Sequence, residues 1–149
     1  MEKPKAIVLD VDGVCLDSSK IIEELFELKL KGDAKWDYFR EHCNGDKVKT
    51  IESSREFMSN VCYFNVYTIL STARNEKCRE ATEKRLREDN FIFDELYMRP
   101  ENDYSPAPEI KRNHLLEIIK SYDIIAFVDD DLANCEMAKE LGILALRKV

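Results

Sequence analysis

The sequence predicts an α/β fold, a three-layer sandwich with a central, mostly parallel sheet, on three observations. The apolar runs Lys5–Leu9, Phe64–Leu70 and Asp123–Val128 are continuous rather than alternating, as in strands buried on both faces. Segments with helical spacing separate them. Each run hands over to polar residues at its C-terminal end: Asp10 to Asp12, Ser71 and Thr72, and Asp129 to Asp131. Strands alternating with helices imply an open sheet with helices on both faces, joined by right-handed crossovers.

Each element follows in order. After the first strand, Asp17, Ser18 and Ser19 offer helix-capping side chains, and Ile21, Ile22, Leu25, Phe26 and Leu28 recur at helical spacing. Gly32 and Asp33 interrupt, Trp36, Phe39 and His42 suit a second short helix, and Asn44–Asp46 marks a turn. A third helix is expected over residues 50–60. The second strand is expected over 64–70, rich in β-branched and aromatic residues. Asn75 then caps a charged helix reaching Asp89, and Glu95–Met98 reads as a short strand. Prolines at 100, 106 and 108 make residues 99–108 a loop, after which a helix is expected over 109–121. The run 123–128 is the next strand. A helix over 133–141, stopped by Gly142, and a closing strand over 143–146 complete the chain. No repeat or linker divides residues 1–149, so one domain is expected.

With 23 Lys and Arg against 30 Asp and Glu, the net charge of −7 argues against a protein devoted to gripping a phosphate backbone. No apolar run approaches the roughly 20 residues that span a bilayer, and the N-terminus lacks a secretory apolar core. No membrane partner and a cytoplasmic location are the expectation. Five scattered cysteines without a CxxC spacing suggest neither a disulfide framework nor a zinc site. Two histidines leave little room for a His-based metal cage.

In an open parallel sheet, ligands bind outside the carboxyl ends of the strands. There Asp10 and Asp12 would face Asp129–Asp131. Such acids repel unless a cation lies between them, and carboxylate and carbonyl oxygens suit Mg²⁺. A divalent ion is the expectation.

Asp10–Val14 after one strand, Thr72–Arg74 after another, Lys111 near the start of a helix and Asp129–Asp130 after a later strand resemble the four motifs of the haloacid dehalogenase (HAD) superfamily. The resemblance covers nearly the whole chain and implies a Rossmann-like, HAD-like phosphatase. Leu70–Arg74, Tyr97–Pro100, the loop to Lys111 and Val128–Asp131 are further similar to the phosphatase domain of phage polynucleotide kinase-phosphatase and its small relatives. The resemblance implies that Asp10 is the nucleophile and Asp12 the general acid and base. Thr72 would hydrogen-bond a phosphoryl oxygen, and Lys111 would hold charge near the transferring group. Gly13 would let the backbone approach phosphate, and Arg74 and Arg99 would face substrate.

Magnesium would rest on an Asp10 carboxylate oxygen, the Asp12 main-chain carbonyl and an acid of the fourth motif. The run of three acids permits more than one register, with Asp129 supporting and Asp130 ligating preferred. Val14 stands where threonine is more frequent in the family, although valine also occurs in capless sugar-phosphate phosphatases. The resemblance implies that residues 17–60 are a small helical cap insertion, and so minimal a cap implies an open site able to admit a phosphorylated small molecule or a nucleic acid end. A nucleotide or polynucleotide 3′-phosphate is the expected substrate. A sugar-phosphate or nucleotide house-cleaning phosphatase, or a catalytically idle phosphate- and metal-binding module, are the alternatives. Trp36, Tyr38 and Phe39 read most simply as core or packing residues of the short helices, with base stacking as a second reading.

Overall fold

The computed structural model describes residues 2–149. In chain order the elements are β1 (Lys5–Leu9), β2 (Leu16–Asp17), α1 (Ser19–Glu27), α2 (Gly32–His42), β3 (Lys49–Thr50), α3 (Glu52–Val61), β4 (Tyr67–Asn75), α4 (Arg79–Glu88), β5 (Glu95–Arg99), α5 (Ala107–Ile118), β6 (Asp123–Asp129), α6 (Leu132–Glu140) and β7 (Ala145–Arg147). Five strands form one sheet in the order β5-β4-β1-β6-β7, with every neighbouring pair parallel. From β1 the chain winds outward through β4 and β5, then returns to the other side of β1 through β6 and β7. The direction of winding therefore reverses between β1 and β6, where a crevice opens beyond the strand ends.

Both sheet faces are covered, which is why the central strands read as unbroken apolar runs. Ile7 and Leu9 face a cluster containing Ile21, Met58, Val61 and Leu86 from α1, α3 and α4. Ala6 and Val8 face Leu115 and Ile118 of α5 and Met137 and Ala138 of α6. Successive residues of a strand point to opposite faces, so one five-residue segment anchors both cores. Among the described residues no helix is long and apolar enough to cross a membrane.

Several elements depart from expectation. Residues Cys62–Phe64 form a 3₁₀ turn that tightens the end of α3, and Asn65 takes a left-handed φ of 56°, so β4 begins at Tyr67. It then runs on through Thr72 and Arg74. Between the pairs Ser71–Tyr97 and Asn75–Arg99, four steps along β4 meet two along β5, a bulge that re-aims the intervening side chains. Asn75 caps the short turn Glu76–Cys78 rather than a full helix, accepting from the Lys77 amide, and α4 follows. α5 starts at Ala107, two residues early, because Pro108 falls in its first turn, where a missing N–H costs nothing. β7 starts two residues later than expected. The ladder between β2 and β3, pairing Leu16 with Thr50 and Asp17 with Lys49, was not visible as an apolar run.

Candidate active site

The Asp10 amide donates to the Val128 carbonyl at 2.9 Å, so the residues after β1 and β6 lie side by side. Between them stands Lys111, 2% exposed, reaching from α5. Its Nζ lies 2.7 Å from Asp10 Oδ1 and 2.6 Å from Asp129 Oδ2. Asp10 Oδ1 also accepts from the Val11 amide at 2.8 Å. Burial opposes the lysine's charge, but the Asp10 and Asp129 carboxylates outweigh it and raise its pKa. Burial lifts the Asp10 carboxyl well above its usual range, against the pull of Lys111. Asp130 is also raised, by partial burial and then by Asp129.

Asp10, Asp129 and Asp130 each present an oxygen within 4.8 Å of the others. One ammonium among three carboxylates leaves an excess of negative charge at the crevice. Asp129 is spoken for: besides Lys111, it accepts from the Asp131 amide at 2.9 Å and Asn134 Nδ2 at 3.2 Å. Asp130 forms no ion pair among the described residues, and the Asp12 carbonyl accepts no hydrogen bond among them. Hard oxygen donors, excess negative charge and two oxygens left without partners fit Mg²⁺.

Gly13 has a φ of +87°, and a Cβ built there would lie 2.1 Å from Asp130 Oδ2. The glycine thus leaves the space that the Asp130 carboxylate fills. Any side chain at position 13 would displace it. The sequence expects Gly13 to let the backbone approach phosphate; the structure gives the glycine a further role, leaving room for an acid of the fourth motif.

Asp12 turns away from this cluster and into a separate one. Arg74 Nε and Nη2 grip its two oxygens at 2.9 and 2.7 Å, and the Ser18 hydroxyl donates to Oδ1. Burial raises the pKa of Asp12, but the Arg74 charge and hydrogen bonds win, holding the carboxyl below its usual range. Arg74 spends its remaining donors on Asn44 Oδ1, Thr82 Oγ1 and the Cys43 carbonyl. All five guanidinium donors are occupied. The sequence expected Arg74 to face substrate; the structure buries its guanidinium, 1% exposed, as a clamp on the candidate acid.

Thr72 is buried in the bulge of β4, and its Oγ1 accepts from the Arg74 amide at 3.1 Å, leaving its hydroxyl hydrogen free to donate. Its neighbour Ser71 was not anticipated as a site residue. Ser71 Oγ lies 2.8 Å from His114 Nδ1, while His114 Nε2 lies 2.9 Å from the Met98 carbonyl. A carbonyl only accepts, so Nε2 carries the proton, Nδ1 is the acceptor and the serine donates. This pair pins α5 to the ends of β4 and β5, one helical turn from Lys111.

Burial pushes the His114 pKa down from 6.5 to about 4, against the Met98 carbonyl. The unfolded chain therefore binds the proton first. Stability should fall as pH drops below about 6.5 and level off below about 4, a loss of up to roughly 3 kcal/mol. Denaturant unfolding at pH 7, 5.5 and 4.5 should show this slope, and His114→Gln should flatten it. An unchanged slope in the variant would refute the assignment.

Arg99 donates Nε to the Ala73 carbonyl at 3.0 Å and Nη1 to the Asp103 and Ser105 carbonyls at 3.0 and 2.5 Å. Its Nη2 makes no such bond among the described residues. Arg99 shares with Asp12 and Arg74 the lining of a cleft of about 650 Å³. One wall is α2, with Trp36, Asp37 and Arg40; the other is the 99–107 loop, with Tyr104; Lys77 and Cys78 lie between. Trp36 is 50% exposed and Tyr104 81% exposed, so neither is core. Asp10, Thr72 and Lys111 do not line the cleft; it opens from Asp12.

The structure thus brings Asp10, Lys111, Asp129 and Asp130 together, with Gly13 against Asp130. Thr72 follows at the adjoining strand end, since Leu9 pairs with Leu70. Asp12 and Arg74 form a second cluster, and Arg99 lies farther along the cleft. Sequence reasoning missed Ser18, Asn44, Ser71, His114 and Asn134. The sequence offers Ser18 as a helix cap, a role its side chain does not take up.

A family model described as HAD superfamily, subfamily IIIB (acid phosphatase) matches residues 1–143. No curated protein matches the chain. Among solved structures, a chain of the Pnkp1/Rnl/Hen1 complex is 23% identical with a TM-score of 0.78, over 98% of this chain and 46% of that one. The class C acid phosphatase from Bacillus anthracis is 23% identical with a TM-score of 0.67, over 90% of this chain and 54% of that one. A haloacid dehalogenase-like hydrolase from Streptococcus pneumoniae is 14% identical with a TM-score of 0.70, over 97% of this chain and 84% of that one. The chain spans about half the length of the first two. At these identities the likeness is one of fold.

Proposed function

The chain belongs to the haloacid dehalogenase superfamily, subfamily IIIB, a family of phosphatases, and on that premise we propose that it is a Mg²⁺-dependent phosphomonoesterase working through an aspartyl phosphate on Asp10. The substrate we infer is a nucleotide or a polynucleotide 3′ end. The observation that carries the mechanism is the buried chain Asp10–Lys111–Asp129, beside Asp130.

An Asp10 oxygen attacks phosphorus while the bond to the leaving oxygen breaks, and Asp12 protonates that oxygen. Asp12 then takes a proton from water, which attacks the acyl phosphate, releasing inorganic phosphate and restoring Asp10. Lys111 and the Val11 amide fix the nucleophile's orientation. The Thr72 hydroxyl is free to donate to a phosphoryl oxygen, where transition-state charge spreads. Arg74 keeps Asp12 ionised before substrate arrives; the negative charge of a bound phosphate favours its protonation. Asp10, Asp130 and the Asp12 carbonyl would hold Mg²⁺, with Asp129 supporting through Lys111. When bound, the ion supplies positive charge that offsets the acids and the entering phosphate. Added Mg²⁺ should raise the thermal midpoint of the wild type and leave that of Asp130→Asn nearly unmoved; equal shifts would exclude Asp130 as a ligand.

The cleft supports the substrate class. It begins at Asp12, where the leaving group must lie, and offers exposed aromatic rings from both walls, with Lys77 between them and Arg99 on the loop wall. Rings at that position suit a stacked base, worth about 1–3 kcal/mol each, and the cationic groups suit a phosphodiester. Phosphate release from a 3′-phosphorylated oligonucleotide, a nucleoside monophosphate and a sugar phosphate tests this. The first two should be preferred, and Trp36→Ala and Tyr104→Ala should each raise their KM by about tenfold while sparing the sugar phosphate. Preference for the sugar phosphate would favour the house-cleaning alternative. Binding without turnover of any of the three would favour the idle module.

A further inference from the structure

We propose that Asn44 is a positioning residue: from just past the end of α2 it holds the back of the Arg74 guanidinium, and through it aims the Asp12 carboxyl at the leaving group. The consequence for turnover rests on the role proposed above for Asp12; the mounting of Arg74 does not.

A guanidinium is a rigid, planar fork, so fixing its back edge fixes where its front edge points. The front edge, Nε and Nη2, carries both oxygens of Asp12. The back is held mainly from α2. Asn44 Oδ1 accepts from Nη1 at 2.6 Å and the Cys43 carbonyl accepts from Nη2 at 3.0 Å, while Thr82 of α4 accepts from Nη1 at the longer distance of 3.2 Å. The Phe39 ring, also from α2, stands 5.9 Å from the guanidinium carbon. Because Arg74 is buried, protein atoms rather than water set its orientation.

The turn itself does not call for asparagine at this position. Asparagine is favoured in turns for its tolerance of a left-handed backbone, but the non-glycine residues with such a φ are Lys29, Asn65 and Asn90, not Asn44. Among the described residues, the side chain of Asn44 makes one hydrogen bond, and that bond is to Arg74. Residue 44 is half-buried, so a smaller side chain fits the same turn.

Helix α2 thereby has two duties. Trp36 and Phe39 line the cleft, and the end of the helix carries the clamp on the acid. The wall that meets the substrate is also the mount from which the proton is delivered. A shift of the clamp by about 1 Å is enough to misdirect the acid, while Asp10, Thr72 and Lys111, on other elements, keep their places.

The test compares kcat/KM of Asn44→Ala on two esters. This ratio reports the steps through loss of the leaving group, so it isolates the proton given to the leaving oxygen from the later attack of water. A nucleoside monophosphate, whose departing hydroxyl needs that proton, should lose about tenfold or more. Nitrophenyl phosphate, whose leaving group needs none, should lose no more than about twofold. Asn44→Asp, which keeps an oxygen at the same place, should bring the nucleotide value back to within about threefold of the wild type. A second readout needs no substrate. The Arg74 Nε–H proton, followed by NMR, should exchange slowly with water in the wild type, about tenfold faster or more in Asn44→Ala, and slowly again in Asn44→Asp.

Equal losses on the two esters, no loss on either, or a thermal midpoint lowered by more than about 10 °C in Asn44→Ala would overturn the positioning role. Unchanged Arg74 exchange would overturn it as well. Faster exchange in Asn44→Ala, in a protein whose wild type hydrolyses neither ester, would sink the phosphatase reading and leave the mounting of Arg74 standing.

Discussion

Asp10→Asn should lower turnover by roughly 10⁴-fold or more while leaving the protein folded. The amide is nearly the size of the acid, so the end of β1 keeps its shape. An Asn oxygen still accepts from the Val11 amide, and Lys111 retains Asp129 as its counter-charge. What disappears is the anionic oxygen that attacks phosphorus, and no nearby residue replaces it: Asp129 is held by Lys111 and Asn134, and Asp12 by Arg74. The substitution also removes one of three crowded carboxylates, so the thermal midpoint should stay within a few degrees of the wild type. Phosphate release together with thermal unfolding separates the two effects. Turnover within tenfold of the wild type in a folded variant would eliminate covalent catalysis at Asp10.

How much of this was legible depends on what each residue's neighbours are. The strands β1 and β6 announce themselves because both faces are buried, which leaves an unbroken apolar run that stops where the acids begin. Lys111 was found only through the motif order. Taken alone, a lysine in a helix reads as solvated, and nothing local signals that two carboxylates from other strands enclose it. Arg74 shows the opposite failure. The motif placed it correctly along the chain, but its partners Asn44 and Thr82 lie 30 and 8 residues away, so the sequence could not indicate that its donors are all engaged. Ser18 looked like a helix cap because Asp17 and Ser19 flank it. The competing acceptor, Asp12, comes within reach only when the chain folds back after β1, through bonds such as Gly13 to Leu16. The bulge in β4 is likewise a matter of pairing with β5, and register is not written in either strand alone.

Lys111→Met should cost more stability than Asp10→Asn, and it separates the structural role of this charge from its catalytic one. The methionine fills most of the same volume but leaves Asp10 and Asp129 buried with no cation between them. Removing one partner of a buried ion pair typically costs about 3–5 kcal/mol, which for a chain of this size lowers the thermal midpoint by roughly 10 °C. The loss comes from orphaned carboxylates rather than from missing packing, so a second change that removes one of them should repair it. Lys111→Met with Asp129→Asn is therefore expected to regain a substantial part of the lost stability, a coupling that a double-mutant cycle measures directly. Catalysis should not return with it. The ammonium lies 2.7 Å from the nucleophile, where charge builds on the transferring phosphoryl group, and losing such a donor costs about 10²-fold or more in turnover. If the double variant were no more stable than the single, the carboxylates would not be the source of the strain, and the charge balance assigned to this crevice would be wrong.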